Sequence, residues 1–308
     1  MYRVQETRKL PGDFAAFVTE IAAGIDGLYG AEAARNYRES AAEVIQASLH
    51  NGAAHALVAK EGGNAAGILM SFERHAVGYI SFVHVLQSHA GRGVEDRLVR
   101  ECVWTFRAGG VEGIVSECVP LCRLDVDSTY QSMGFERVAR ALLAAELDTS
   151  LLSAVEDRTT PITKGQYGEA AAVIADAYTD HPGRRLHVEV RREETALDFV
   201  ERVAAGEHGP VQPDYLRAMI KDGQMIGVIF GCQVAPSHGF VLQVAVRRVF
   251  QRQGAGAALI ADSARAFRRA GMKQLALGVT LSSPALRLYE RLGFKVMRPV
   301  DAYAWWRP

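Results

Sequence analysis

The chain has 308 residues, a hydrophobic fraction of 49%, a charged fraction of 23% and a formal net charge of +0. This length suits one large domain or two domains of about 150 residues, and the apolar content excludes a wholly disordered chain. The balanced charge argues against a protein that binds nucleic acid or an anionic membrane surface.

Strands and helices alternate in the predicted elements of both halves. In the first half we expect strands over 2–8, 56–60, 67–72, 79–86 and 113–118, helices over 13–29 and 94–107, and a strand or mixed segment over 135–147. In the second half we expect strands over 160–163, 215–221, 227–234, 240–247, 274–280 and from 294 onward, and helices over 168–178, 257–270 and 284–291. This alternation predicts an α/β (α+β mixed sheet) fold, with each sheet flanked by helices.

Three signals occur late in each half, in the same order. They are a Gly-x-Gly turn, a Phe-Arg pair near the glycine that ends a helix, and a segment that runs from a tyrosine to a Gly-Phe pair. In the first half these are Gly91 and Gly93, Phe106, and Tyr130 to Phe135. In the second half they are Gly254 and Gly256, Phe267, and Tyr289 to Phe294. A repeat of this size indicates a tandem domain duplication. We therefore predict domains over 1–150 and 158–308, joined by a polar linker over 148–158.

The glycine turn of the second half joins a predicted strand to a predicted helix. Glycines allow a sharp turn and a close approach of the backbone to a ligand. Backbone N–H groups at the start of the next helix, with its dipole, form an anion site that suits a pyrophosphate. The turn is neither a dinucleotide fingerprint, because the third glycine is missing, nor a P-loop, because no Gly-Lys-Ser/Thr follows.

Two motifs together give the second half a family resemblance. Gln251-x-x-Gly254-x-Gly256 and the later Ala285-x-x-Leu288-Tyr289-x-x-Leu292-Gly293-Phe294 resemble the patterns of the GNAT superfamily of acyl-CoA-dependent N-acetyltransferases. Ser282 stands where the later pattern has asparagine. The resemblance covers roughly residues 160–308 and predicts two tandem GNAT-like domains.

The resemblance implies acetyl-CoA as co-substrate, no metal, and direct attack of an amine on the thioester in a ternary complex. It implies that the central strand at Val244, Ala245 and Val246 pairs with the pantetheine arm. Tyr289 is the candidate acid that protonates the departing thiolate. The implied cofactor-binding set is completed by Gln251, Arg252, Gln253, Gly254, Ala255, Gly256, Ala257 and Ser282.

The general base stays open at this stage, because the central strand carries Gln243 but no aspartate or glutamate. Four residues of the charged insert between the first two strands are candidates, namely Asp180, His181, His187 and Glu189. An amine that deprotonates in bulk water would need no dedicated base.

The first half resembles the family less well. It keeps Gly91 and Gly93, and later Tyr130, Gly134 and Phe135, but Ser88 replaces the expected Gln or Arg. We expect an inactive or weakly binding copy, with a second intact acetyl-CoA site as the alternative.

The leading hypothesis is an N-acetyltransferase whose C-terminal domain acetylates a primary amine of a small molecule. The alternatives are a protein or peptide N-acetyltransferase and a non-catalytic acyl-CoA-binding regulatory protein. We expect a cytoplasmic protein without nucleic-acid or membrane partners, and we leave a homodimer open. The Cys118-x3-Cys122 pair has no second pair, so we expect no zinc site.

Overall fold

The computed structural model describes residues 2–117, 124, 126–147 and 158–308. The residues so described form two sheets of seven strands, and each sheet belongs to one of two compact units. The first unit comprises Met1–Val138 and Val300–Pro308, and the second comprises Ala139–Pro299. The α/β fold class predicted from the sequence, with two mixed sheets flanked by helices, is confirmed.

The first unit is built mainly from the first 138 residues. Its elements in chain order are β1 (Arg3–Thr7), α1 (Phe14–Tyr29), α2 (Ala31–His50), β2 (His55–Glu61), β3 (Asn64–Arg74), β4 (Val77–Val85), α3 (Val94–Gly109), β5 (Gly113–Ser116), α4 (Asp127–Ser132) and β6 (Glu136–Val138). Alternate strand residues face opposite sides of the sheet. Leu57 and Leu69 accordingly share a core with α3, whereas Val58 and Ile68 share one with α1.

The second unit repeats this plan. Its elements are β7 (Arg140–Glu146), β8 (Thr160–Pro161), α5 (Tyr167–Ala177), α6 (Glu193–Ala204), β9 (Leu216–Lys221), β10 (Gln224–Ala235), β11 (His238–Val246), α7 (Ala255–Arg269), β12 (Gln274–Thr280), α8 (Ala285–Arg291) and β13 (Lys295–Pro299). Helix α7 packs on one face of the sheet and α5 and α6 pack on the other. The last strand of the chain, β14 (Ala302–Trp306), belongs to the first unit.

One strand of each sheet comes from the other half of the sequence. The first sheet has the order β1-β2-β3-β4-β5-β14-β6, and the second has the order β13-β7-β12-β11-β10-β9-β8. Strand β14 therefore inserts between β5 and β6, with Ala304 opposite Val115. Strand β7 inserts between β12 and β13, with Leu143 opposite Leu277.

This exchange corrects the sequential domain boundaries 1–150 and 158–308. Those boundaries keep each closing strand in its own half, but the compact units divide the chain at Ala139 and Val300. Most residues of β7 are buried, as expected of a strand covered on both faces, so its place is inside a sheet. The linker predicted over 148–158 lies, except for Arg158, outside the described residues.

Corresponding positions of the two units show how closely the plan is repeated. Phe106 of α3 packs over Gly78, where an added Cβ would come within 2.6 Å of the ring. Phe267 of α7 packs over Gly239 in the same way, at 2.5 Å. Only glycine leaves room for these rings, so Phe106 of α3 and Phe267 of α7 occupy equivalent positions in the two units.

None of the helices that the structure describes combines the length and the apolar character needed to cross a lipid bilayer.

We predict that Tyr303→Ala on β14 destabilises the first unit, although Tyr303 lies near the end of the chain. Tyr303 is 7% exposed and its ring stacks on Tyr130 at 4.3 Å. Removing a large buried ring costs about 3 kcal/mol or more. Denaturant unfolding with hydrogen exchange should show lower stability and faster exchange in 113–116 and 136–138. Exposed Arg307→Ala is the control. Faster exchange confined to β12 and β13 would contradict the strand exchange.

Candidate functional site

The second sheet opens between β11 and β12. These strands pair in parallel only from His238 opposite Gln274 to Val241 opposite Leu277. Strand β11 nevertheless continues to Val246, and β12 continues beyond the last pair as well. The facing edges of the two strands therefore diverge and leave a split in the sheet.

A β-bulge lies where the split begins. Phe230 of β10 is opposite Gln243 and Gly231 is opposite Val241, so Leu242 is the extra residue. Bulges bend a strand and increase its twist, and they are common next to active sites. The first unit has the same irregularity between Met70 and Ser71.

The start of α7 faces this split. Gly254 is the N-cap with φ +89°, and Arg252 has φ +62°. The Gln251 side chain donates to the Val246 carbonyl at 3.0 Å and so fixes the turn. The first turn of α7 holds no acidic residue, so its free N–H groups and the helix dipole favour an anion.

A cavity of about 420 Å³ runs from this turn into the split. Most of the site residues predicted from the sequence line it: Val244, Ala245, Val246, Gln251, Arg252, Gly254, Gly256, Ala257 and Tyr289. The structure thus brings together a strand, a glycine turn and a tyrosine that are separated in the sequence.

Three predicted site residues lie elsewhere. Gln253 and Ala255 line a second cavity of about 400 Å³ beside Lys221 of β9. Ser282 is exposed, whereas its neighbour Ser283 is 5% exposed and lines the main cavity. The Ser283 hydroxyl accepts a hydrogen bond from the Ala285 N–H at 3.3 Å. The polar side chain before α8 is therefore one position later than predicted.

Polar side chains that the sequence patterns did not bring together line the same cavity. Arg140 comes from β7, Tyr178 from the end of α5, and Thr280 from β12. The Tyr178 hydroxyl donates to Oε1 of Gln243 on the central strand at 3.3 Å. Arg140 was missed because it belongs to the first half of the sequence and reaches this sheet only through the strand exchange.

The structure separates the four candidate bases. Asp180 pairs with Arg248 at 2.9 Å and Glu189 pairs with Arg202 at 3.0 Å. His181 and His187 instead line the cavity. Nδ1 of His181 accepts the Gly183 N–H at 3.0 Å, so in the neutral ring Nε2 carries the proton, 3.4 Å from the Ser283 hydroxyl.

Both cavity histidines are held neutral. Burial, reinforced by the positive charge of Arg140, lowers the pKa of His181 below its ordinary value. The same causes, with smaller contributions from His181 and Arg191, place the pKa of His187 well below 6.5. At neutral pH each imidazole therefore retains a lone pair, and in His181 that lone pair already accepts a hydrogen bond.

Tyr289 lies on α8 with only 6% exposure, and its ring packs against Phe294. Burial raises the pKa of its phenol far above the usual value near 10. The hydroxyl therefore keeps its proton at every physiological pH. It can donate a hydrogen bond to a developing negative charge in the cavity.

The corresponding turn of the first unit differs in a way that the sequence comparison missed. Helix α3 begins at Val94 and α7 begins at Ala255. When the two units are aligned at these residues, Gly91 corresponds to Arg252 and Glu95 corresponds to Gly256. The direct pairing of the glycines is therefore wrong by two positions. Glu95 is 6% exposed, so a buried carboxylate stands where the second unit has a glycine.

Further contacts occupy this region of the first unit. Asp96, also in the first turn of α3, accepts hydrogen bonds from Thr129 at 2.7 Å and from Arg100 at 2.9 Å. Tyr130, the counterpart of Tyr289, donates its hydroxyl proton to Ser116 at 2.8 Å. The carboxylates use the positive end of the helix dipole and would repel a phosphate.

No group of three or more His, Cys, Asp or Glu side chains within 2–117, 124, 126–147 and 158–308 is arranged to hold a metal ion. Cys118 and Cys122 lie outside the described residues.

We predict that His187 makes the protein less stable in mild acid. Its pKa is lowered in the folded state, so below about pH 6.5 the unfolded chain binds a proton that the native chain does not. Its contribution is present above that pH and is lost as the pH falls, by up to about 1.4 kcal/mol per pH unit. Denaturant unfolding from about pH 7 to 5 should show a smaller loss for His187→Gln.

Exposed His50→Gln serves as the control and should keep the wild-type pH dependence. An unchanged pH dependence in His187→Gln would contradict the neutral, buried imidazole.

Comparisons with known proteins agree with this geometry. The sequence matches the Acetyltransferase (GNAT) family over residues 23–135 and again over 176–294. A search of curated proteins found no match.

Solved structures of similar fold span the whole chain. A GCN5-related N-acetyltransferase from Sphaerobacter thermophilus is 18% identical, with a TM-score of 0.69, covering 100% of this chain and 96% of that one. A tandem GNAT protein from the clavulanic acid biosynthesis pathway is 13% identical, with a TM-score of 0.61, covering 100% and 99%. A putative acetyltransferase from Pyrococcus horikoshii is 12% identical, with a TM-score of 0.59, covering 100% and 90%.

The two family matches fall on the two units, and the fold agrees with that of a tandem protein over the full length. The chain therefore belongs to the Acetyltransferase (GNAT) family, as an acyltransferase with two tandem GNAT domains.

Proposed function

We propose that the second unit transfers the acetyl group of acetyl-CoA to a primary amine of a small molecule. The observation that carries this proposal is the continuous cavity from the first turn of α7 to the split between β11 and β12. One end suits a phosphate, and the other places a tyrosine and two neutral imidazoles around the opened strands. The family uses acetyl-CoA as its co-substrate.

The residues at the α7 end fit the pyrophosphate of acetyl-CoA. A Cβ at Gly256 would lie 3.3 Å from the Leu288 side chain, a tight contact, so a residue larger than glycine would crowd the first turn of α7. Arg252 is exposed beside the turn and supplies a positive charge. The open edge of β11 at Val244 to Val246 offers backbone groups to an extended chain such as the pantetheine arm.

In the reaction we propose, the amine nitrogen attacks the thioester carbonyl carbon directly. The new C–N bond forms as the C–S bond breaks, the sulfur leaves with the electron pair and gains a proton, and the nitrogen loses one. Tyr289 donates a hydrogen bond to the departing sulfur as negative charge develops on it, and the thiolate then takes its proton from solvent. His187, neutral at working pH, is the acceptor that we favour for the amine proton.

The composition of the acceptor end of the cavity favours a small acceptor. Side chains from several separate elements converge there, namely Arg140 of β7, Tyr178 after α5, Thr280 of β12, and His181 and His187 of the insert. Polar groups that converge in this way suit a small molecule.

We further propose that the first unit does not bind acyl-CoA. Glu95 and Asp96 stand at the helix start where the second unit has Gly256 and Ala257. Two carboxylates oppose a bound pyrophosphate by like-charge repulsion. We also retain the expectation of a cytoplasmic enzyme.

We predict that Gly256→Glu, which copies Glu95 into the second unit, weakens acetyl-CoA binding by about a hundredfold or more, because it adds a buried like charge and fills the space before α7. Calorimetric titration should show one site in the wild type and its loss in the variant. The matched change Glu95→Gln in the first unit should leave the affinity unchanged. A site that survives Gly256→Glu would contradict the assignment.

We predict that Tyr289→Phe lowers kcat by about ten- to a hundredfold and leaves acetyl-CoA affinity unchanged, because it removes one hydrogen-bond donor and no binding surface. The measurement is CoA release with a panel of amines, polyamines, amino acids and aminoglycosides, together with calorimetry. A kcat equal to that of the wild type would exclude Tyr289 as the hydrogen-bond donor to the sulfur.

A further inference from the structure

The strand exchange places a buried positive charge at the acceptor end of the cavity. Arg140 is 6% exposed, lies opposite Thr280 of β12, and lines the cavity. Its Nη2 lies 3.1 Å from the position that a Cβ of Gly278 would occupy. The guanidinium thus lies over the glycine at which β12 separates from β11.

Arg140 is far from the phosphate turn. Gly278 follows the last paired residue of β12, at the level of the bulge residue Leu242. The strand runs four more residues to Val246 before it enters the turn, about 13 Å at about 3.3 Å per residue. Arg140 therefore lies too far along the cavity to belong to the pyrophosphate site of α7.

The charged side chains in the described lining of the cavity all have the same sign. Its described lining includes Arg140, Arg252 and Arg291 and no aspartate or glutamate. Arg252 belongs to the phosphate turn and Arg291 to the end of α8, whereas Arg140 lies among Tyr178, His181 and His187. Burial lowers the pKa of Arg140 to about 10, so it stays charged at neutral pH, and the neighbouring imidazoles are neutral.

We propose that Arg140 binds a carboxylate carried by a substrate at the acceptor end of the cavity, in the first instance a carboxylate on the amine acceptor. The proposal rests on the acetyltransferase function of the second unit. A guanidinium presents a planar fork of donors that matches a carboxylate with two parallel hydrogen bonds. The same positive charge lowers the pKa of a nearby amine, which favours the neutral form that attacks.

The carboxylate could also belong to the acyl group of a dicarboxylic acyl-CoA. Both sources share the chemistry of a carboxylate on Arg140, and the experiment distinguishes them. One arm compares each α-, β- and ω-amino acid with its own amide as acceptor, using acetyl-CoA. The other compares succinyl-CoA with acetyl-CoA, using amines that carry no carboxylate.

For the full-length enzyme we expect amino acids to show KM values about ten- to a hundredfold lower than those of their amides. This is the change in affinity that a hydrogen bond to a charged group contributes. Arg140→Gln should abolish this difference, and Arg140→Lys, which keeps the charge, should retain part of it. Exposed Arg287→Gln on α8 removes a charge outside the cavity lining and should keep the wild-type difference. A preference for succinyl-CoA that depends on Arg140 would support the site and place the carboxylate on the acyl group.

A second readout needs no turnover. Succinate titrated calorimetrically into the protein saturated with CoA should bind, and binding should be lost in Arg140→Gln. Turnover of amines without any carboxylate preference and without succinate binding would overturn this inference and leave the acetyltransferase function standing. If the protein neither binds acetyl-CoA nor releases CoA with any of the amines, the proposed function is overturned, and this inference with it.

Discussion

The divergence of β11 from β12 is the constraint on which the site depends. Parallel pairing ends at Val241 and Leu277, and the bulge at Leu242 turns the next residues of β11 away from β12. The split exposes strand edges inside an otherwise continuously paired sheet. Because α7 begins shortly beyond β11, the helix dipole meets the same opening. The cavity is thus a consequence of sheet geometry, and side chains decide only what it binds.

The two units differ in few residues at the helix start where we propose that only the second unit binds acyl-CoA. Both have the bulge, the parallel pair and the aromatic ring packed over a strand glycine. They differ at the helix start, where the first unit has the buried Glu95 and the second has Gly256, which carries no side chain. A carboxylate there keeps the helix start favourable for folding, since it complements the dipole, and excludes a second anion.

The sequence allowed the fold class, the duplication and the glycine turn to be predicted, because these depend on local patterns of glycine and apolar residues. The family resemblance pointed to Tyr289, which lines the cavity. Helix α2 was missed because its buried face consists largely of small residues such as Ala33, Ala34 and Ala41, which give a weak apolar signal. The exchange of β7 and β14 was missed because either strand suits either sheet. Arg140 was missed for the same reason, and the two-residue register error arose because Gly91 and Gly93 have the spacing of Gly254 and Gly256 without their places in the turn.

Hydrogen exchange of the whole protein with and without acetyl-CoA would show directly which helix start binds the cofactor. We predict slower exchange in 242–246 and 251–257, where the split and the α7 turn lie, and no change in 90–96 of the first unit. Protection that appears in 90–96 and is absent from 251–257 would contradict it, because the cofactor would then occupy the turn that carries Glu95 and Asp96.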